Sequence, residues 1–118
     1  MKKIEVYDGN KKLFEGLSSK SIFFKLKGLM FSKKLNYNEC IMFEFHKDEN
    51  IMIHMFFVFF NIDVLWLDKD FKILEIKQNI KPFTPLIKPR YSARYLIETL
   101  GNSASNLSTG DKLTVKFK

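Results

Sequence analysis

The segment from Ile51 to Leu67 limits what this chain can fold into more than any other stretch. Between Ile51 and Phe60 both alternating sets are apolar: Ile51, Ile53, Met55, Phe57 and Phe59 on one side, and Met52, His54, Phe56, Val58 and Phe60, with a single histidine, on the other. A strand written this way must be covered on both faces, by a second layer, a partner chain or a ligand. The segment contains His54, Asn61 and Asp63 and no run of eighteen apolar residues, so it belongs in a core rather than across a bilayer. Asn61-Ile62-Asp63 divides it into two expected strands, the second being Val64-Leu65-Trp66-Leu67.

The rest of the chain is punctuated in the same short units. Ile4-Glu5-Val6-Tyr7 alternates, Asp8-Gly9-Asn10 supplies turn chemistry and Leu13-Phe14-Glu15 resumes the pattern, which predicts a hairpin. A Ser18-Ser19-Lys20-Ser21 cluster before Ile22, Phe23, Phe24, Leu26 and Leu29 predicts one short helix near residues 20–28, capped by serine and ended by Gly28. Cys40 to Phe45 reads as a strand broken by the polar loop His46 to Asn50. Asp68-Lys69-Asp70 turns into Phe71 to Ile76, a second hairpin. Pro82, Pro85 and Pro89 enforce an extended connection, after which Arg94 to Leu100 and Leu113 to Phe117 read as strands. At 118 residues and 46% apolar content, one domain over 1–118 is expected. The fold class is mainly β with a minor α component, an antiparallel jelly-roll-like sandwich or partly closed barrel carrying that one short helix.

The net charge of +7 is unevenly placed. Residues 1–40 hold nine lysines against four acids and residues 69–118 ten basic residues against four acids, whereas residues 41–68 hold one lysine and five acids. No run of five like charges marks a binding tail, so the basic flanks read first as solvated surface and only second as a nucleic-acid footprint. The 18 aromatic residues fall mostly in apolar runs rather than between lysines, which favours burial over base stacking. With Cys40 alone no internal disulfide forms, and Met1-Lys2-Lys3-Ile4-Glu5 lacks the apolar run of a secretory signal, so a cytoplasmic protein is expected.

Screening for a phosphate-binding glycine loop, a Gly-x-Ser-x-Gly elbow, a His-Glu-x-x-His helix or paired cysteines finds none of them. His46 and His54 are the two histidines. A mixed metal site of His54, Cys40 and Asp63 is outweighed by a core histidine satisfied by a hydrogen bond, so no metal and no cofactor are expected. Asp63, between Ile62 and Val64, must reach solvent or find donors, and binding backbone N–H groups at a turn is its simpler role. Glu98 alternates with Leu96 and Leu100 in a pattern that places it outward.

Four segments, taken in order, resemble the family called domain of unknown function 192: Lys27-Gly28-Leu29-Met30-Phe31, Cys40 to Phe45, His54 to Asp68, and Ala93 to Glu98 with Gly101 and Gly110-Asp111. The chain carries Lys25 where many members carry arginine, and His54-Met55-Phe56-Phe57 where many carry Trp-Met-Lys-Asn. The resemblance implies a mostly β, jelly-roll-like sandwich and no established reaction. The first functional reading is therefore a small-molecule or carbohydrate binding module with His54, Asp63, Glu98 and Lys25 as polar contacts, in a monomer or homodimer. A hydrolase-like enzyme pairing Asp63 with His54 is the alternative, and nucleic-acid binding through the basic flanks the third.

Overall fold

The computed structural model describes residues 1–20, 29–30 and 33–118. Seven strands form one sheet: β1 (Lys2–Asp8), β2 (Lys11–Ser19), β3 (Glu39–Glu49), β4 (Ile62–Leu67), β5 (Ile73–Ile80), β6 (Ala93–Leu100) and β7 (Thr114–Phe117). Their spatial order is β5-β4-β6-β3-β2-β1-β7. Both expected hairpins form, β1 with β2 around the Asp8-Gly9-Asn10 turn and β4 with β5 around Asp68-Lys69-Asp70. In the second turn the Asp68 side chain accepts hydrogen bonds from the backbone N–H groups of Asp70 and Lys72, which fixes the reversal.

The sheet is mixed rather than wholly antiparallel, because β2 and β3 run parallel, Gly16 opposite Cys40 and Ser18 opposite Met42. The pair is so close at Gly16 that a Cβ there would lie 1.7 Å from the Cys40 carbonyl oxygen, so only glycine fits. The mainly β class expected from the strand spacing holds, but the strands form one mixed sheet that is not closed, in place of the expected antiparallel jelly-roll-like sandwich or partly closed barrel. Beside the start of β5 its two edges meet, where Lys72 and Lys112 form an isolated antiparallel bridge and Leu113 N–H donates to the Phe71 carbonyl.

Every residue of β4 is buried, and its alternation divides the core in two. Ile62, Val64 and Trp66 join Phe43, Leu96, Ile51, Ile53, Met55 and Val58 on one face of the sheet. Leu65 and Leu67 join Ile4, Val6, Phe14, Met42 and Ile97 on the other. Each such aliphatic side chain, fully buried, stabilises the fold by about 1.5–3 kcal/mol. The strand with two covered faces is thus β4, not Ile51 to Phe60.

Ile51 to Phe60 contributes one isolated bridge, Ile53 opposite Ile87, and then turns. Ile51, Ile53, Met55, Val58 and Phe60 point inward, while Met52, Phe56, Phe57 and Phe59 are 44–60% exposed, against the expectation that these rings are buried. The reversal is local: Val58 N–H donates to the Met55 carbonyl and Phe57 takes a left-handed φ of 57°, so the strand period is lost after Met55. Trp66, itself fully buried, holds the segment against the sheet by donating its indole N–H to the Ile51 carbonyl at 2.9 Å.

Three further differences are smaller. β3 continues through His46 to Glu49, where a loop was expected, and β2 takes in Ser18 and Ser19, where a helix cap was expected. The expected helix near residues 20–28 falls, beyond Lys20, outside the described residues. Among the described residues no helix is long and apolar enough to cross a membrane.

Candidate functional site

Asp63 stands on β4 between two residues that face one core, so its own side chain points to the opposite face. There it is fully buried and fully engaged. Oδ1 accepts from the backbone N–H groups of Asn79 (2.8 Å) and Asn102 (3.0 Å), and Oδ2 accepts from that of Ala104 (2.9 Å). Asn79 and Asn102 both have left-handed backbones, and the Asn79 amide donates to Asn102 Oδ1 at 2.5 Å. The carboxylate therefore ties the end of β5 to the turns that follow β6. This is the turn-anchoring role that the residue type suggests, with three backbone N–H groups held by one buried carboxylate.

On the other face lies a cavity of about 570 Å³. Its floor and walls are Leu29, Phe43, Ile53, Met55, Val58, Ile62 and Leu96, all buried, and Glu98 is set among them. Its solvent side carries Lys47, Asp48, Asn50 and Met52, which are exposed, with Glu49 and His54 half-buried between. Phe43 and Phe45 share one face of β3, and beyond the irregularity in its pairing with β6 between Glu44 and Glu49 the consecutive residues Lys47, Asp48 and Glu49 all line the opening. Lys47 and Glu49 carry no sequence signal as site residues, because five polar residues in succession read as a loop.

Glu98 is 6% exposed, flanked in the sheet by Val64 of β4 and Ile41 of β3. Neither neighbour offers a donor, and Oε1 has no hydrogen-bond partner among the described residues. Burial in this apolar setting pushes its carboxyl up from the ordinary 4.5 to about 7. A buried polar atom left without a partner is rare enough in folded proteins to call for a reason. The outward placement expected for Glu98 fails because β6 lies between β3 and β4 in the sheet and both its faces are covered.

His54 lines the same cavity, where its Nδ1 accepts from the Phe56 N–H at 3.1 Å and its ring stands 5.2 Å from that of Phe56. The structure therefore brings His54 and Glu98 to one cavity and leaves Asp63 out of it. Cys40 faces the opposite core with Met42, its thiol pushed up to about 12 by burial and, secondarily, by the charges of Glu15 and Glu39. His54, Cys40 and Asp63 are accordingly not gathered into a metal site, and no group of three His, Cys, Asp or Glu among the described residues is placed to hold one. Lys25 lies outside the described residues.

The chain belongs to the DUF192 family: the model described as "Uncharacterized ACR" matches residues 4–115. The UPF0127 protein TK1120 of Thermococcus kodakarensis is 34% identical over 74 residues, covering 63% of this chain and 46% of that protein. The UPF0127 protein PH1112 of Pyrococcus horikoshii is 38% identical over 71 residues, covering 60% and 59%. The chain spans about half the length of the curated relatives it matches. Two crystal structures share the fold. A protein of unknown function from Novosphingobium aromaticivorans has a TM-score of 0.85 at 19% identity, covering 95% of this chain and 83% of that one. A Sinorhizobium meliloti protein provisionally described as a transcription regulator has a TM-score of 0.83 at 16% identity, covering 98% and 92%.

Proposed function

We propose that this member of the DUF192 family is a small-molecule binding module whose site is the cavity around Glu98. The observation that carries the reading is Glu98 Oε1, buried in the apolar wall of that cavity with no hydrogen-bond partner among the described residues. A volume of about 570 Å³ lies within the usual range for small-molecule sites, and apolar walls with a few polar groups are their usual construction. One buried polar group among many apolar ones suits a compact apolar molecule with a single polar end better than a sugar, whose several hydroxyls each need a partner. A hydrolase reading through Asp63 and His54 has no support from their placement on different faces.

Native mass spectrometry of the freshly purified chain tests the proposal. The expected result is a mass addition that disappears on denaturation, or, for a chain stripped of ligand, a rise in melting temperature with members of a small-molecule panel that is lost when Leu96→Trp fills the cavity. A chain that carries nothing and responds to no panel member would count against it.

A further inference from the structure

We infer that the ligand class selected by this cavity is an organic cation, an amine carried on an apolar body. The inference rests on the small-molecule reading and adds the chemistry of the head group.

Two independent features point the same way. The first is Glu98 itself, a carboxyl whose Oε1 lies at the apolar wall with no donor among the described residues. The second is the charge of the lining. The whole chain carries +7, yet among the described residues at this opening Lys47 and Arg94, the latter paired with Asp48, only offset Asp48 and Glu49, which leaves Glu98 as the acid without a countercharge. Asp48 accepts from Arg94 Nε at 3.1 Å, which holds it in place at the rim.

The head groups a ligand could present differ sharply in what they do beside Glu98. A carboxylate would set a second anion against a buried acid in a medium of low effective dielectric, which is repulsive. A hydroxyl offers Oε1 one neutral donor. An ammonium offers three donors and the opposite charge, and hydrogen bonds between charged partners are about twice as strong as neutral ones. Phe43, Phe45, Val58 and Leu96 would cover the apolar body of the ligand.

Calorimetric titration of the full chain at pH 8 with heptylamine, heptanol and heptanoate tests this, since the three differ only in the head group. Heptylamine is expected to bind about tenfold more tightly than heptanol, the ratio that a charge-assisted bond of about 1.4 kcal/mol gives, with heptanoate weakest. In Glu98→Gln the amine is expected to lose that advantage while heptanol binding is retained. Heptanol or heptanoate binding as tightly as heptylamine would overturn the cation class and leave the small-molecule reading standing. Binding of none of the three would overturn both. An amine preference unchanged in folded Glu98→Gln would also overturn the assignment, and if that variant does not fold, the order of the three probes on the parent chain decides.

Discussion

Asp63 Oδ2 and the backbone N–H of Ala104 meet at 2.9 Å although the two residues are 41 positions apart. With the Asn79 and Asn102 N–H groups on Oδ1, one side chain satisfies three backbone donors that no strand partner reaches. Asp63→Ala is expected to destabilise the fold by about 3–5 kcal/mol, because buried donors are left without an acceptor. Asp63→Asn should lose less, since its amide oxygen can still accept from the Asn79 and Asn102 N–H groups while its NH2 faces only that of Ala104. Urea denaturation of the two variants checks this, and a loss under 1 kcal/mol would be inconsistent with the anchor.

Glu98 gives the stability a definite pH dependence. Its carboxyl titrates near 7 folded against an ordinary 4.5, so between those values the folded chain holds a proton that the unfolded chain has released. Stability from this residue is therefore greatest below about pH 4.5, falls as pH rises toward 7 and is flat above, a loss on the order of 3 kcal/mol. Glu98→Gln should remove that slope and, above pH 7, melt at a higher temperature than the parent. Thermal melts of both proteins from pH 5 to 9 measure the difference.

Trp66→Phe removes the donor to the Ile51 carbonyl and keeps most of the buried ring. The expected cost is about 1–3 kcal/mol. Hydrogen exchange should localise the effect: the Ile53 and Met55 amides, which donate to Ile87 and Thr84, lose protection before those of β4.

Gly16→Ala places a methyl group against the Cys40 carbonyl and is expected to cost about 3 kcal/mol or more, the parallel β2–β3 contact having no room to yield. The same substitution at Gly9, which meets nothing within 4 Å but has a φ of +60°, should cost only about 1 kcal/mol of backbone strain. Chemical denaturation of the pair separates crowding from conformation.

Cys40 should be inert toward a disulfide reagent at pH 8, since the thiol is buried and held well away from its thiolate. Its labelling rate should rise in step with the unfolded fraction as denaturant is added. Rapid labelling in buffer would show that β3 opens at this position.

Much of the fold was legible because most strands follow a two-residue period and end in turn residues. β1, β4, β6 and β7 fall where alternation and Gly, Asp or Asn clusters place them, while β2 runs on through Ser19 and β5 starts at Ile73 and runs on to Ile80. What was not legible was nonlocal. Nothing in Leu17 or Ile41 says that their strands run parallel, since both directions accept the same pattern of side chains. Ile51 to Phe60 departs from its pattern for a different reason: Ile51, Ile53 and Met55 keep the period, and the left-handed Phe57 that ends it has no glycine or asparagine to announce it. At the site, the anchor role of Asp63 followed from its residue type and flanks. The cavity did not, because Glu98 becomes buried only when β3 and β4 close on either side of it.

The position of β6 between β3 and β4 also bears on how the molecule assembles. Before Ala93 joins, the hairpin of β4 and β5 and the set of β1, β2 and β3 share no hydrogen-bonded ladder. β6 is the seam that joins these parts, and it pairs at once with residues about 55 positions earlier on β3 and about 35 earlier on β4. Folding should accordingly be a single cooperative event gated by one late strand, with the cavity existing only in the finished sheet.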